Sequence, residues 1–229
     1  VIWQVGKPKD MLETQTVGYV AAEMPAAKAG LLAGDKIIKI NGEEVKGFGG
    51  SLDSIAERIV FSKGEKITLT IERPGVGEME IVTGYDIEKA SNFTKRDGVR
   101  RIGIAPVSDV TVGSLFKGGP AEFSGFEVDD KVLSIEGKKI WSSSQFSSIL
   151  QDNSNKLLNV VVLRDGKELT LQTMALVPSN GFKLDPEKDV LPMIGMGFKG
   201  TVKKTELVYP GPWEQITATS RMMAVTIGA

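Results

Sequence analysis

The sequence contains an internal repeat, in which residues 16–45 recur without a gap as residues 111–140. The identities include turn and cap residues as well as apolar ones: Thr16, Pro25, Gly30, Asp35 and Gly42 return as Thr111, Pro120, Gly125, Asp130 and Gly137. The period is too long for a solenoid unit and fits two small domains of roughly 90 residues each. We therefore expect two copies of one domain.

Composition limits the chemistry that the chain can perform. The 229 residues carry a formal net charge of -1, so no basic surface favours nucleic acid as a partner. There is no cysteine and no histidine, which excludes disulfides, thiolate zinc sites and both Ser-His-Asp and Cys-His catalytic pairs. We expect no catalytic residue, no metal ligand and no cofactor in this chain. Because it begins with Val1, we also expect it to be a piece of a longer protein.

Each copy has the same predicted order of elements. In the first copy, proline and glycine bracket a short helix over residues 25–30, and Asn41-Gly42 marks a hairpin turn after an apolar strand. Ser51 is predicted to cap a second helix. Alternating strands follow, separated by a turn at Pro74-Gly75. The predicted fold class is mainly β with short helices (α+β), as two largely antiparallel partial barrels.

The segment 25–42 resembles the signature of bacterial PDZ domains. Its pattern is Pro-Ala-x-x-Ala-Gly-Leu-x-x-Gly-Asp, then an apolar run, then Asn-Gly. The second copy departs from this pattern at Phe126, Asp129 and Glu136, and a positive φ at Asp129 would cost more than at glycine. The resemblance implies a domain that binds the C-terminus of an extended peptide by adding it as a strand to a sheet edge.

In that family an apolar-Gly-apolar loop directs backbone amides at the peptide carboxylate. Here such a loop follows each copy, as Ile102-Gly103-Ile104 and as Met196-Gly197-Phe198. That order predicts a circularly permuted pair of PDZ domains, in which the last strand of each copy completes its own groove. We expect the second helix of each copy to supply the pocket for the last side chain of the peptide. The candidate pocket residues are Leu52, Ile55, Phe146 and Ile149.

A permuted PDZ pair is similar to the periplasmic region of the regulator-of-sigma-E proteases, which are intramembrane zinc metalloproteases of the bacterial site-2 family. The flanks agree with this resemblance, because residues 1–8 look like the exit of a transmembrane helix. Residues 209–216 look like the family's Tyr-Gly-Pro segment, which leads into an amphipathic helix. Along residues 213–227, Trp213, Ile216, Met223 and Ile227 are spaced for one apolar face of such a helix. The predicted boundaries are a lead-in at 1–14, PDZ domains at 15–107 and 108–201, and an amphipathic juxtamembrane tail at 202–229.

The resemblance implies a role in regulated intramembrane proteolysis. The parent would be a membrane-associated zinc metalloendopeptidase whose zinc and catalytic residues lie outside this chain. The chain would lie on the periplasmic side of the bacterial inner membrane and gate access to the membrane-embedded remainder of the same protein. Its partner would be the exposed C-terminus of a pre-cleaved substrate, such as the anti-sigma factor of the sigma-E stress response.

Two other interpretations remain open from the sequence. One is the PDZ pair of an HtrA-like serine protease, which predicts an apolar-Gly-apolar loop ahead of each copy. The other is a periplasmic adaptor without a protease. In each case we expect only one groove to bind appreciably, and Arg100 or Arg101 is a candidate to assist carboxylate capture.

Overall fold

The structure is a computed structural model and describes residues 7–8, 12–88, 98–177, 193–199 and 207–208. Its contacts divide the chain into two units, Val1–Pro106 with Val202–Ala229, and Val107–Thr201. Two further strands are described in the flanks, β1 (Lys7–Pro8) before residue 12 and β16 (Leu207–Val208) after residue 199. They pair antiparallel with each other. The predicted membrane-facing positions of the tail lie outside the described residues. Within the described ranges, no helix is both long and apolar enough to span a bilayer.

The first unit is built on an antiparallel sheet with two short helices. Its sheet has the order β4-β3-β5-β6, while β2 pairs with β9 and β7 pairs with β8. The elements are β2 (Val17–Val20), α1 (Pro25–Lys28), β3 (Lys36–Ile40), β4 (Glu43–Glu44), α2 (Ile55–Val60), β5 (Ile67–Arg73), β6 (Gly77–Thr83), β7 (Asp86–Glu88), β8 (Val99–Arg101) and β9 (Ile104–Pro106).

The second unit repeats this plan. Its sheet has the order β12-β11-β13-β14, and β10 pairs with β15. The elements are β10 (Val112–Leu115), α3 (Pro120–Phe123), β11 (Lys131–Ile135), β12 (Lys138–Lys139), α4 (Ser143–Asp152), β13 (Leu157–Arg164), β14 (Lys167–Met174) and β15 (Met196–Phe198). The predicted α+β fold, mainly strand with short helices, is confirmed in both units.

Strand pairing shows to which copy β9 and β15 belong. Strand β9 lies between the two repeats in the sequence, and it pairs antiparallel with β2 of the first repeat. Strand β15 pairs in the same way with β10. The last strand of each copy therefore returns to the first strand of the same copy, which is the predicted circular permutation.

Each unit has a hydrophobic core of its own. In the first, Ile37, Ile55 and Leu69 are fully buried between helix and sheet. In the second, Phe146 and Val160 lie in the corresponding core. The predicted hairpin turn in the second copy forms although glutamate replaces asparagine, because Glu136 itself takes a left-handed φ of 47°.

The second helix begins later than the sequence predicts. Helix α2 starts at Ile55 with Ser54 as the N-cap residue, whereas Ser51 and the next two residues form a turn. Ser54 and Glu57 have the spacing of a capping box, but here their side chains are hydrogen-bonded to each other and the Ser54 side chain makes no hydrogen bond to the helix backbone. That spacing, Ser-x-x-Glu, is the sequence signal for the correct start.

A buried aspartate in each unit joins the turn after the short first helix to the sheet. The carboxylate of Asp35 receives two hydrogen bonds from Arg73, at 2.8 and 2.7 Å, and one from the Leu32 amide at 2.8 Å. Asp130 receives two hydrogen bonds of 2.7 Å from Arg164. The sequence suggested only turn residues here. Each aspartate is in fact one half of a bidentate ion pair that joins the turn to a distant strand.

We expect the second unit to lose stability in acid because of Asp130. Burial disfavours the charged form of this carboxyl group, but the hydrogen bonds from Arg164 and from the Glu127 amide outweigh burial and lower its pKa. A lowered pKa in the folded state stabilises the fold above the unfolded pKa of about 3.9. That contribution disappears as the pH falls through the folded pKa. Urea unfolding at pH 7 and below pH 4 measures the loss, and Asp130→Asn should reduce its size.

Candidate functional site

A cavity of about 530 Å³ lies between strand β9 and helix α2 in the first unit. Strand β9 with the loop before it, one face of α2 and strand β8 form most of its walls, and β2 and the segments around Met24 and Phe48 complete them. The lining residues are Tyr19, Ala21, Met24, Phe48, Ala56, Ile59, Val60, Val99, Arg100, Arg101, Ile102, Gly103, Ile104 and Ala105. We call this cavity the first groove. In the described ranges, β2 is the only strand that pairs with β9, so the other edge of β9 is open.

The loop Ile102-Gly103-Ile104 closes one end of the first groove. The carbonyls of Ile102 and Gly103 point into the unit, where they accept hydrogen bonds from the amides of Ala26 at 3.0 Å and Ala21 at 2.9 Å. Gly103 takes a left-handed φ of 83°. Among the described residues, no acceptor pairs with the amide N–H of Ile102 or Gly103. Two successive amides without an acceptor form a nest suited to an anion.

Cationic groups lie at the same end of the groove. Arg100 donates to the carbonyl oxygen of Ser62, and its guanidinium lies 4.9 Å from the ring centroid of Tyr85. The Tyr85 hydroxyl donates to Oγ of Ser62 at 2.6 Å. Arg101 forms an exposed ion pair of 2.9 Å with Asp86. Both arginines line the cavity, and since Arg101 is paired with Asp86, Arg100 is the cation that would favour a carboxylate held by the loop amides.

The helix residues that line the first groove differ from those predicted. Ile55 is fully buried in the core, and Leu52 lies in the turn before the helix; neither lines the cavity. Leu52 precedes the helix because α2 begins only at Ile55, and the side chain of Ile55 is used by the core. The face of α2 that is turned to the groove carries Ala56, Ile59 and Val60.

In the second unit the loop lies two residues earlier than predicted. The carbonyls of Ile194 and Gly195 accept from the amides of Ala121 and Phe116, both at 2.8 Å, which repeats the pattern at Ile102 and Gly103. Gly195 has a φ of 74°, whereas Gly197 has no positive φ and lies within β15. The equivalent loop is therefore Ile194-Gly195-Met196. Its Ile-Gly pair is identical to that of the first copy, a signal that was available in the sequence.

The other predicted residues of the second copy fall on α4 and β15. Phe146 is buried in the second core, Ile149 packs against that core, and Met196 and Phe198 are half-buried on the strand. The Phe146 and Phe198 rings meet edge to face with centroids 5.5 Å apart. Strand β15 and helix α4 thus lie side by side, and we call the surface between them the second groove; Phe146 belongs to the core, and peptide binding by this surface stays a prediction.

Comparisons with known proteins agree with this geometry. Two models of the PDZ domain match residues 16–73 and 84–174. The second match starts ahead of β9 and so includes the loop of the first unit, which the hydrogen bonds assign to the first copy.

Curated relatives include proteases of two kinds. Proteins named "Putative zinc metalloprotease" from Neisseria meningitidis and Treponema pallidum are 27% and 28% identical, over 67% and 70% of this chain. The serine protease Do-like HtrA of Bacillus subtilis is 29% identical over 62%. The chain spans about a third of these relatives, covering 34%, 33% and 31% of their lengths. The duplicated fold, the paired loops and the matches together establish that this chain belongs to the PDZ family, as two PDZ domains in tandem.

Proposed function

We propose that the chain is a peptide-binding PDZ tandem that regulates a membrane-associated zinc metalloprotease of the site-2 family. The observation that carries the proposal is the open edge of β9, which faces the apolar side of α2 and ends at the amides of Ile102 and Gly103. An extended peptide that pairs with this edge gains backbone hydrogen bonds, while its side chains contact the helix.

The loop at the end of the groove would make the groove select the C-terminus of a peptide over an internal segment. A terminal carboxylate can accept from the amides of Ile102 and Gly103 with Arg100 nearby, whereas an internal peptide bond brings no charge to this nest. Proteolysis creates a new C-terminus at each cut. A groove that requires a free terminus therefore distinguishes a cut substrate from an intact one.

Similarity to the proteins of Neisseria and Treponema named putative zinc metalloproteases supports this parent enzyme. In this proposal the tandem lies on the periplasmic side of the inner membrane and admits pre-cleaved substrates, such as an anti-sigma factor of the sigma-E response. In the described ranges, no three carboxylates come together that could hold a metal ion.

A second candidate function is the peptide-binding tandem of an HtrA-like serine protease, which the similarity to the Bacillus protein favours. The chain that flanks this tandem in its gene distinguishes the two. An upstream apolar helix with His-Glu-x-x-His supports the metalloprotease, and a trypsin-like domain supports the serine protease. Absence of both leaves an adaptor.

The test of the groove uses one peptide in two forms. We expect a decapeptide ending in valine to bind at least about tenfold more tightly as the free acid than as the amide, a difference of about 1.4 kcal/mol. Isothermal titration calorimetry with the whole chain measures both affinities, and a scrambled free-acid peptide is the control. Equal affinities for acid and amide would exclude capture of the carboxylate.

A further inference from the structure

The two grooves can be compared residue by residue, because the strands that form them have the same register. Val17, Tyr19 and Val20 pair with Pro106, Ala105 and Ile104. In the second unit, Val112, Ser114 and Leu115 pair with Phe198, Gly197 and Met196. Tyr19 of the first groove therefore corresponds to Ser114, and Pro106 corresponds to Phe198.

The helices can be aligned through their buried residues. Ile55 and Ile59 are buried one turn apart in α2, and Phe146 and Leu150 have the same spacing and burial in α4. Each pair also precedes a buried strand residue by the same interval, Ile67 in one unit and Leu158 in the other. Ala56 and Val60, which line the first groove, thus correspond to Ser147 and Gln151.

This alignment shows that the two helix walls differ in polarity. The first groove presents alanine and valine at two positions where the second has serine and glutamine. Val60 is 39% exposed, so part of its apolar surface is open to a ligand. Covering apolar side chains contributes about 25 cal/mol per Å². A serine or glutamine covered by an aliphatic side chain instead loses water without gaining a hydrogen bond.

Two further differences weaken the second groove for the same ligand. The ring of Phe198 reaches the ring of Phe146 on α4, so an aromatic contact bridges strand and helix where the first unit has Pro106. The bridge Leu176↔Met193 corresponds to the pair Asp86↔Arg101. Methionine therefore replaces Arg101, and the residue before it in the sequence is Pro192 rather than an arginine.

We infer that the two PDZ domains are specialised differently. The first groove takes peptide C-termini that end in an aliphatic residue, and Ala56 and Val60 determine this preference. The second groove does not bind such termini appreciably. The inference rests on the proposed function, since it assigns the ligand class of the proposed site. It also predicts one bound peptide per chain.

The experiment is a titration of three proteins with free-acid decapeptides that differ only in the last residue, valine or serine. For the unaltered chain, calorimetry should give one site for the valine peptide and at least about tenfold weaker binding of the serine peptide. The double variant Ala56→Ser/Val60→Gln should lose most of this preference. The double variant should still bind the free acid more tightly than the amide of the same peptide, because the loop amides are unchanged. Circular dichroism confirms that each variant is folded.

The matched variant carries the opposite exchange, Ser147→Ala/Gln151→Val, in the second unit. It should leave the first site unchanged, which shows that the effect belongs to the first groove. Nuclear magnetic resonance of the amide of Ile104 against that of Met196 reports which groove is filled. Two equal sites in the unaltered chain, or perturbation at Met196 alone, would overturn the inference while leaving terminus binding intact. If no free-acid peptide binds any of the proteins, the proposed function itself fails.

Discussion

Replacing Asp130 with asparagine should lower the free energy of unfolding of the second unit by about 3 kcal/mol. Removing one partner of a buried ion pair costs about 3–5 kcal/mol, because the other charge stays buried without compensation. We expect the lower end of this range, since the Arg164 side chain is 21% exposed and also pairs with Glu127 at 2.5 Å. The change also removes the carboxylate that anchors the turn at Glu127.

Hydrogen exchange measures this effect separately in each unit. Amides of β13 should exchange faster in Asp130→Asn, while those of β5 in the first unit provide an internal reference. The control is Lys131→Ala, which removes a 3.3 Å ion pair to Asp109 whose side chains are 52% and 55% exposed. An exposed pair of this kind contributes less than about 1 kcal/mol. Equal effects of the two variants would contradict the anchoring role of Asp130.

Replacing Gly103 with alanine should weaken binding of a free-acid peptide at least tenfold, or by about 1.4 kcal/mol. A Cβ at this position would lie 2.2 Å from Cβ of Met24, and the φ of 83° disfavours any side chain. The loop must therefore move, and the amides of Ile102 and Gly103 lose their orientation. Titration with the valine decapeptide measures the loss.

Two variants separate this clash from a general effect of alanine. Gly75→Ala imposes a similar strain, with a φ of 79°, in the turn between β5 and β6, where a Cβ meets nothing within 4 Å. Binding should be unchanged there. Combining Gly103→Ala with Met24→Gly should restore part of the affinity, because the clash with Met24 disappears. Wild-type binding by Gly103→Ala would show that the loop does not capture the carboxylate.

The duplicated fold is readable from the sequence because its signals are local. Proline and glycine bracket α1, and Asn41-Gly42 marks a turn that depends only on neighbouring residues. The permutation is also readable, since a loop of the right type follows each copy. The ion pairs of Asp35 and Asp130 are not, because their partners lie 38 and 34 residues away along the chain.

The helix residues of the groove are harder to predict, because the sequence alone does not show which apolar residues of α2 face the core and which face the groove. With Ser51 as the predicted N-cap, Leu52 and Ile55 fall in the first turn of the helix and become pocket candidates, whereas in the structure Leu52 precedes α2 and Ile55 is buried in the core. The loop of the second copy is predicted two residues too late because two glycines compete for its position. Two glycines two residues apart, Gly195 and Gly197, both have apolar neighbours; the Ile-Gly pair shared with the first copy favours Gly195, and the hydrogen bonds from Phe116 and Ala121 assign it.

The most direct test of peptide capture by the first groove is an amide resonance map of the whole chain, recorded with and without a free-acid peptide ending in valine. We predict perturbations confined to the loop and strand at 102–106 and to the helix at 56–60, with the largest at Ile102 and Gly103. The amidated peptide should leave these two amides almost unchanged. Perturbations elsewhere in the chain with none at Gly103, or identical maps for the two peptide forms, would contradict the account.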